Sequence, residues 1–156
     1  VNWRDIGDVP YTIWRDVLDH ADSPLLGEAR QTWEAARPHS ALALAMLAVE
    51  SRYGTEFDRN YYGNRNAFNL RIRGQEPFQG FATWTLGVAE WRARITDPRY
   101  AYRDTVTVAD LIHVYAPSSD DNDEAAYVAT VERLIGQWPR EVPVSTLPAI
   151  VITAGH

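Results

Sequence analysis

The stretch "ALAMLAVESRYGTEFDRNYYGNRNAFNLR", residues 43–71, runs through small apolar side chains and then places a single carboxylate, Glu50, where the run ends. On a helix, Glu50 shares a face with Met46 and Leu47 behind it and Tyr53 ahead, so its carboxyl is expected in apolar surroundings. Gly54 is expected to close that helix, which puts Glu50 in the last turn beside the negative end of the macrodipole. Burial and the dipole both disfavour the ionised form, so the expected direction of its pKa is upward. A carboxylic acid that keeps its proton near neutral pH suits general-acid cleavage of a glycosidic bond, where the leaving oxygen gains a proton as the bond breaks. The plainer alternative is a Glu that faces water or pairs with Arg52 or Arg71.

The neighbourhood favours sugar chemistry. "YYGNRNAFN" supplies amides that hydrogen-bond hydroxyls and aromatic rings that stack on pyranoses, with Tyr61, Tyr62 and Phe68 as candidate platforms. Competing constellations are weak. His20, His39, His113 and His156 form no H-x-x-x-H or related spacing, so no metal or other cofactor is expected within the domain. Ser51 has no evident His partner, and a triad built from Ser118 or Ser119 with His113 has no spacing to support it. "SSDDND", residues 118–123, lacks the glycine and terminal bidentate Glu of a calcium loop, and reads as loop plus helix N-cap.

The elements that must position Glu50 are helical. Ile13, Trp14, Val17 and Leu18 make one stripe; Leu25, Ala29, Trp33 and Ala36 make a second that stops at Pro38. Pro38 suits the first turn of the Glu50 helix, expected from Ala41 to Tyr53. Trp84, Val88, Trp91 and Ile95 step by 4, 3 and 4. Thr107 and Asp110 resemble a capping box for a helix carrying Val108, Leu111, Ile112 and Tyr115. Asn122 opens a last helix with Tyr127, Val131, Leu134 and Trp138 on one face, and Pro139 stops it. Five tryptophans, Trp14, Trp33, Trp84, Trp91 and Trp138, are assigned to the core. Between Thr55 and Gly80 the period vanishes, as in a loop with a short hairpin, where function sits on a helical scaffold.

With 156 residues, 46% of them hydrophobic, one domain with a sizeable core is expected over 1–138, followed by a linker or tail over 139–156. No apolar run approaches the roughly 20 residues that cross a bilayer, so no spanning helix is expected. The chain has no cysteine, which excludes disulfides and thiol catalysis. A net charge of −6 argues against nucleic acid and anionic lipid as partners. All 15 basic residues are Arg, from which no function follows. A start at Val1 without Met suggests a processed protein or an excised domain.

"AVESRYGT", "NRNAFNLR", "FATWTLGVAEWRARITDPRYA" and "VYAPSSDDNDEAAYVATVERLIGQW", in this order from Ala36 to Trp138, resemble the glucosaminidase family of bacterial and phage cell-wall hydrolases, a branch of the lysozyme-like superfamily. The resemblance implies a mainly α, lysozyme-like α+β fold, with a helical lobe and a small irregular or β-hairpin lobe flanking a glycan cleft. It implies Glu50 as general acid in a Glu-Ser-x-x-Gly pattern and Tyr100 lining the cleft, with Tyr100 and Asn66 holding substrate or the transition state. Asn66 and Asn69 fall in a segment similar to the family's Asn-Leu-Phe-Gly-Ile-Lys, with Asn69 where Gly is more usual. Tyr115 joins the expected substrate-binding set. Many family members carry a second Glu on a hairpin; here that region is short and Glu76 is the nearest candidate, Glu56 and Asp58 fitting no family position. Without it, the substrate's own 2-acetamido group would be the nucleophile. The implied activity is an endo-β-N-acetylglucosaminidase acting on peptidoglycan glycan strands, secreted or phage-encoded, at the cell wall. The alternatives are a lytic transglycosylase or muramidase on the same fold, or a non-catalytic glycan-binding module. The tail "PAIVITAGH" resembles the opening strand of zinc-dependent N-acetylmuramoyl-L-alanine amidases, which implies a longer parent with an amidase or wall-binding domain.

Overall fold

The computed structural model describes residues 1–56 and 64–141, which form a mainly helical domain. Six α-helices appear among the described residues: α1 (Tyr11–His20), α2 (Ala29–Ala36), α3 (Ser40–Ser51), α4 (Trp84–Thr96), α5 (Val108–Tyr115) and α6 (Glu124–Gln137). Among them there is no β-strand, only isolated antiparallel bridges at Asp8 with Glu141 and Arg71 with Phe78. None of the helices is long and apolar enough to cross a membrane.

The sequence of α3 dictates its place. Ala41 to Leu47 offers apolar atoms on every side, and a helix without a polar face belongs inside. All seven of these residues are fully buried. α6 and α2 pack against it, α4 lies on α2, and α5 lies on α6. The helix starts at Ser40, so Pro38 stands before it rather than in its first turn. Its N-terminal end is fixed by Asp8, whose carboxylate accepts from the Ser40 backbone N–H (3.0 Å) and hydroxyl (2.7 Å) and pairs with Arg37. A negative group there also complements the helix dipole.

Asp8 belongs to an N-terminal segment that carries no helical period, yet that segment is part of the core. Trp3 is 1% exposed and donates from its indole to the Thr105 hydroxyl, while the Trp33 indole donates to the Val9 carbonyl. Trp14, Trp33 and Trp91 are buried as expected; Trp84 and Trp138 are half-buried against the same core. The Thr107–Asp110 capping box forms in full. α6 is capped by Asp123, one residue after the expected opening. The chain from Pro139 to Glu141 returns to the N-terminal segment through the Asp8 bridge; the remainder of the 139–156 tail, including the Ile150–Thr153 run and His156, lies outside the described residues.

Candidate active site

Glu50 sits where α3 stops, and the residues after it explain why it stops there. Arg52, Tyr53 and Gly54 are all left-handed, with φ of 46°, 58° and 80°. A Cβ on Gly54 would lie 2.7 Å from Leu25 Cδ1, so both the backbone sign and the space call for glycine. Ser51 ties this turn to the next segment. Its hydroxyl donates to the Ala67 carbonyl (2.7 Å) and accepts from the Gly54 N–H (2.8 Å). The Glu-Ser-x-x-Gly pattern is thus a helix end stitched to the 64–70 loop.

That loop is held from within by Asn66. Its amide donates to the Leu70 and Gln79 carbonyls and accepts from the Leu70 N–H, and the residue is 1% exposed. Asn66 therefore shapes the loop and does not reach a substrate, contrary to the expectation from sequence. Phe68 differs in the same way: it is buried and stacks on Trp91 at 4.8 Å. Asn69 has φ 53°, a left-handed value that Asn tolerates and Gly prefers, which accounts for the residue type at this position. Its amide donates to the Glu50 backbone carbonyl (2.7 Å) and to Glu50 Oε2 (2.9 Å). α4 presses on the loop from outside, where a Cβ on Gly87 would lie 2.8 Å from the Arg65 carbonyl.

Glu50 is 8% exposed, and its carboxyl has a second donor, the Tyr127 hydroxyl, 2.9 Å from Oε1. It neither faces water nor pairs with the arginines named above, since Arg52 engages Glu56 and Arg71 engages Glu76. Three phenols surround it electrostatically. Burial, and then the charge of Glu50, hold Tyr115 and Tyr127 well above the usual range, and burial, with Tyr100 and Glu50 adding to it against Arg94, pushes Tyr102 up to about 12. All three keep their protons at physiological pH. Tyr127 is therefore fixed as a donor to Glu50, and Tyr115 donates to the Phe68 carbonyl at 2.7 Å. Tyr127 and Tyr102 were not candidates from sequence; Tyr127 lies on the apolar stripe of α6 and nothing in the spacing reveals that its hydroxyl ends at Glu50.

Glu50 opens into a cavity of about 370 Å³. One wall is Asn69, Arg71 and Phe78, and the other is Tyr115, Ala116 and the turn Asp120–Asn122. Phe78 is 41% exposed and lies under the Arg71 guanidinium at 5.0 Å, so the exposed aromatic ring of this cavity is Phe78. Glu76 and Tyr100 line a different cavity of about 320 Å³, which shares Arg71 with the first. The side chain of Glu76 is 96% exposed and paired to Arg71 at 3.2 Å, and Tyr100 lies beneath Arg73. The structure thus brings Glu50, Asn69 and Tyr115 together and sets Glu76 and Tyr100 in the adjoining cavity. Tyr61, Tyr62 and Asp58 lie outside the described residues. Among the described residues no group of three or more His, Asp or Glu side chains is placed so that it could hold a metal ion.

No family model, no characterised protein and no solved structure matches this chain, so its function is argued from the site itself.

Proposed function

We propose that this chain is a lysozyme-like glycoside hydrolase that cleaves β-1,4 links in the glycan strands of peptidoglycan on the reducing side of N-acetylglucosamine, with Glu50 as general acid. The observation that carries this is a glutamate 8% exposed at the end of a helix whose body is buried from Ala41 to Leu47, opening into a cavity of about 370 Å³ with an exposed aromatic ring. Such a placement sets Glu50 apart, because Glu is rarely buried, and the Tyr127 phenol and the Asn69 amide are donors that meet its two carboxyl oxygens. The irregular segment 64–81 and the helical body form the two sides of the glycan cleft.

The chemistry follows from the donors. As the bond between C1 and the bridging oxygen breaks, the oxygen takes the proton of Glu50, and a carboxylate is left behind. The Tyr127 hydroxyl and the Asn69 amide already point at its two oxygens, so the charge is received without reorganisation. Phe78 offers a face for a sugar ring, and Arg71 between the two cavities offers a cation for the lactyl or peptide carboxylates of the wall polymer. With a net charge of −6 the domain gains no long-range attraction to an anionic wall, so delivery by a separate wall-binding part of a longer protein fits its action outside the cell.

The deciding experiment is digestion of purified peptidoglycan by the chain and by Glu50→Gln, with products resolved by mass spectrometry. Release of ends that terminate in a reducing N-acetylglucosamine, lost in Glu50→Gln by about 10²-fold or more, is expected. 1,6-Anhydro ends would reassign the chain as a lytic transglycosylase. More than about a tenth of the wild-type rate in Glu50→Gln would remove Glu50 from the general-acid role.

A further inference from the structure

Glu50 supplies a proton to the leaving oxygen, and the attacking water needs a base of its own. We infer that the turn at Asp120 and Asp121 supplies the second carboxylate; this rests on Glu50 being the general acid. Both aspartates line the same cavity as Glu50, from the wall that follows α5, whereas Glu76 lines the neighbouring one. The other described carboxylates near this wall are committed. Asp123 caps α6 by accepting from the Ala126 N–H, and Glu124 accepts from the Ser118 N–H and holds His113. Glu76 is held by Arg71. Asp120 and Asp121 are exposed, and among the described residues their carboxylates make no ion pair or hydrogen bond.

The backbone under them is nonetheless fixed. The Asp120 N–H donates to the Pro117 carbonyl (3.0 Å), the Asp121 N–H donates to the Ser118 carbonyl (3.1 Å), and the Asn122 amide donates to the Pro117 carbonyl (3.2 Å). Ser118 is itself pinned by Glu124 at 2.7 Å. Two uncommitted carboxylates on a fastened turn, sharing a cavity with a buried acid, are what water activation needs. In the proposed step one of them takes a proton from water while the water oxygen bonds to C1. The C1–O bond breaks toward the leaving oxygen, which takes the proton of Glu50. The elements of water end on the two sugars, and solvent returns Glu50 to the acid form and the aspartate to the base form.

The test is the panel Asp120→Asn, Asp121→Asn, the double variant, Glu76→Gln and Glu50→Gln, assayed on purified peptidoglycan with and without azide. The double variant is expected to lose about 10²- to 10⁴-fold in kcat while keeping glycan binding and melting temperature, since both side chains are exposed. One single variant should carry most of that loss and so identify the base. Azide, which attacks C1 without deprotonation, should partly restore turnover and leave a glycosyl azide, a product that a merely structural defect would not yield. Retention of more than about a tenth of the rate in the double variant, with Glu50→Gln inactive, overturns this inference alone and points to Glu76 or the substrate acetamido group. An active Glu50→Gln overturns the general-acid role of Glu50 on which this inference rests.

Discussion

Replacing Tyr127 with Phe removes one oxygen atom and tests whether the phenol serves the carboxyl. Tyr127 is buried, and its hydroxyl lies 2.9 Å from Glu50 Oε1. A hydrogen bond to an ionised acceptor contributes about 1.5–3 kcal/mol and a neutral one about 1 kcal/mol. The stability lost in Tyr127→Phe should therefore depend on pH: about 2 kcal/mol where Glu50 is ionised and about 1 kcal/mol where it is protonated. The same asymmetry predicts the kinetics. Donation from the phenol favours the carboxylate, so its loss favours the acid form and moves the basic limb of the kcat/KM profile to higher pH. The carboxylate formed as the bond breaks also loses a donor. About 1.4 kcal/mol of lost transition-state stabilisation is a tenfold fall in rate at the pH optimum. Urea unfolding at several pH values and a pH–rate profile on peptidoglycan read both effects. A basic limb that stays in place, together with a stability loss that is the same at every pH, would show that the phenol merely fills space.

Two further substitutions probe how the loop and the N-terminal region support the site. At Asn69, with φ of 53°, Gly should keep the backbone and lose the amide, while Ala loses the amide and adds a left-handed strain of about 1 kcal/mol; Asn69→Ala should therefore unfold at lower urea than Asn69→Gly while both lose activity alike, and the opposite order of stability refutes the backbone account. His39 is buried against Trp3, and burial holds its imidazole below the usual value despite Asp8, with Arg4 and Arg92 acting in the same direction as burial. The unfolded chain then binds a proton that the folded one resists, so stability is fully present above about pH 6.5 and falls as the pH drops through the lower folded value. Between pH 7.5 and 5.5 the melting temperature of His39→Gln should fall less steeply than that of the wild type; a parallel or steeper fall shows that His39 does not drive the change.

The parts of this structure that were legible from sequence are those governed by a repeating period. Trp84, Val88, Trp91 and Ile95 make one face of a helix whatever else the chain does, and the Thr107–Asp110 box is a local hydrogen-bond pattern. Where the period ends, composition names residue types but not directions. Phe68 and Phe78 are equally aromatic, yet one stacks on Trp91 in the core and the other lies open in the cavity. Asn66 and Asn69 differ by three positions; one spends its amide on Leu70 and Gln79, the other on Glu50. Trp3 and Asp8 were missed because a segment that packs by single side chains into gaps between helices has no period to detect. Tyr127 was visible as a core position and not as a site residue, since the stripe places a ring in the interior without saying what its hydroxyl meets.

The placement of Glu50 depends on the whole core for a physical reason. A buried carboxyl is destabilising unless donors meet it, and donors that must meet both its ionised and protonated forms have to be held by something other than the carboxyl itself. α3 supplies that independence at one end, since its apolar body is gripped on all sides and its first residue is fixed by Asp8. The 64–70 loop is fastened separately, by Ser51 to Ala67, by Asn66 to Leu70 and Gln79, and by the close approach that Gly87 permits at Arg65. Tyr127 is set by the packing of α6 on α3. Helix, loop and phenol thus reach Glu50 from three supports, each anchored without its help. A proton can therefore leave and return to Glu50 while the geometry around it stays in place, which is the requirement that a general acid makes of its scaffold.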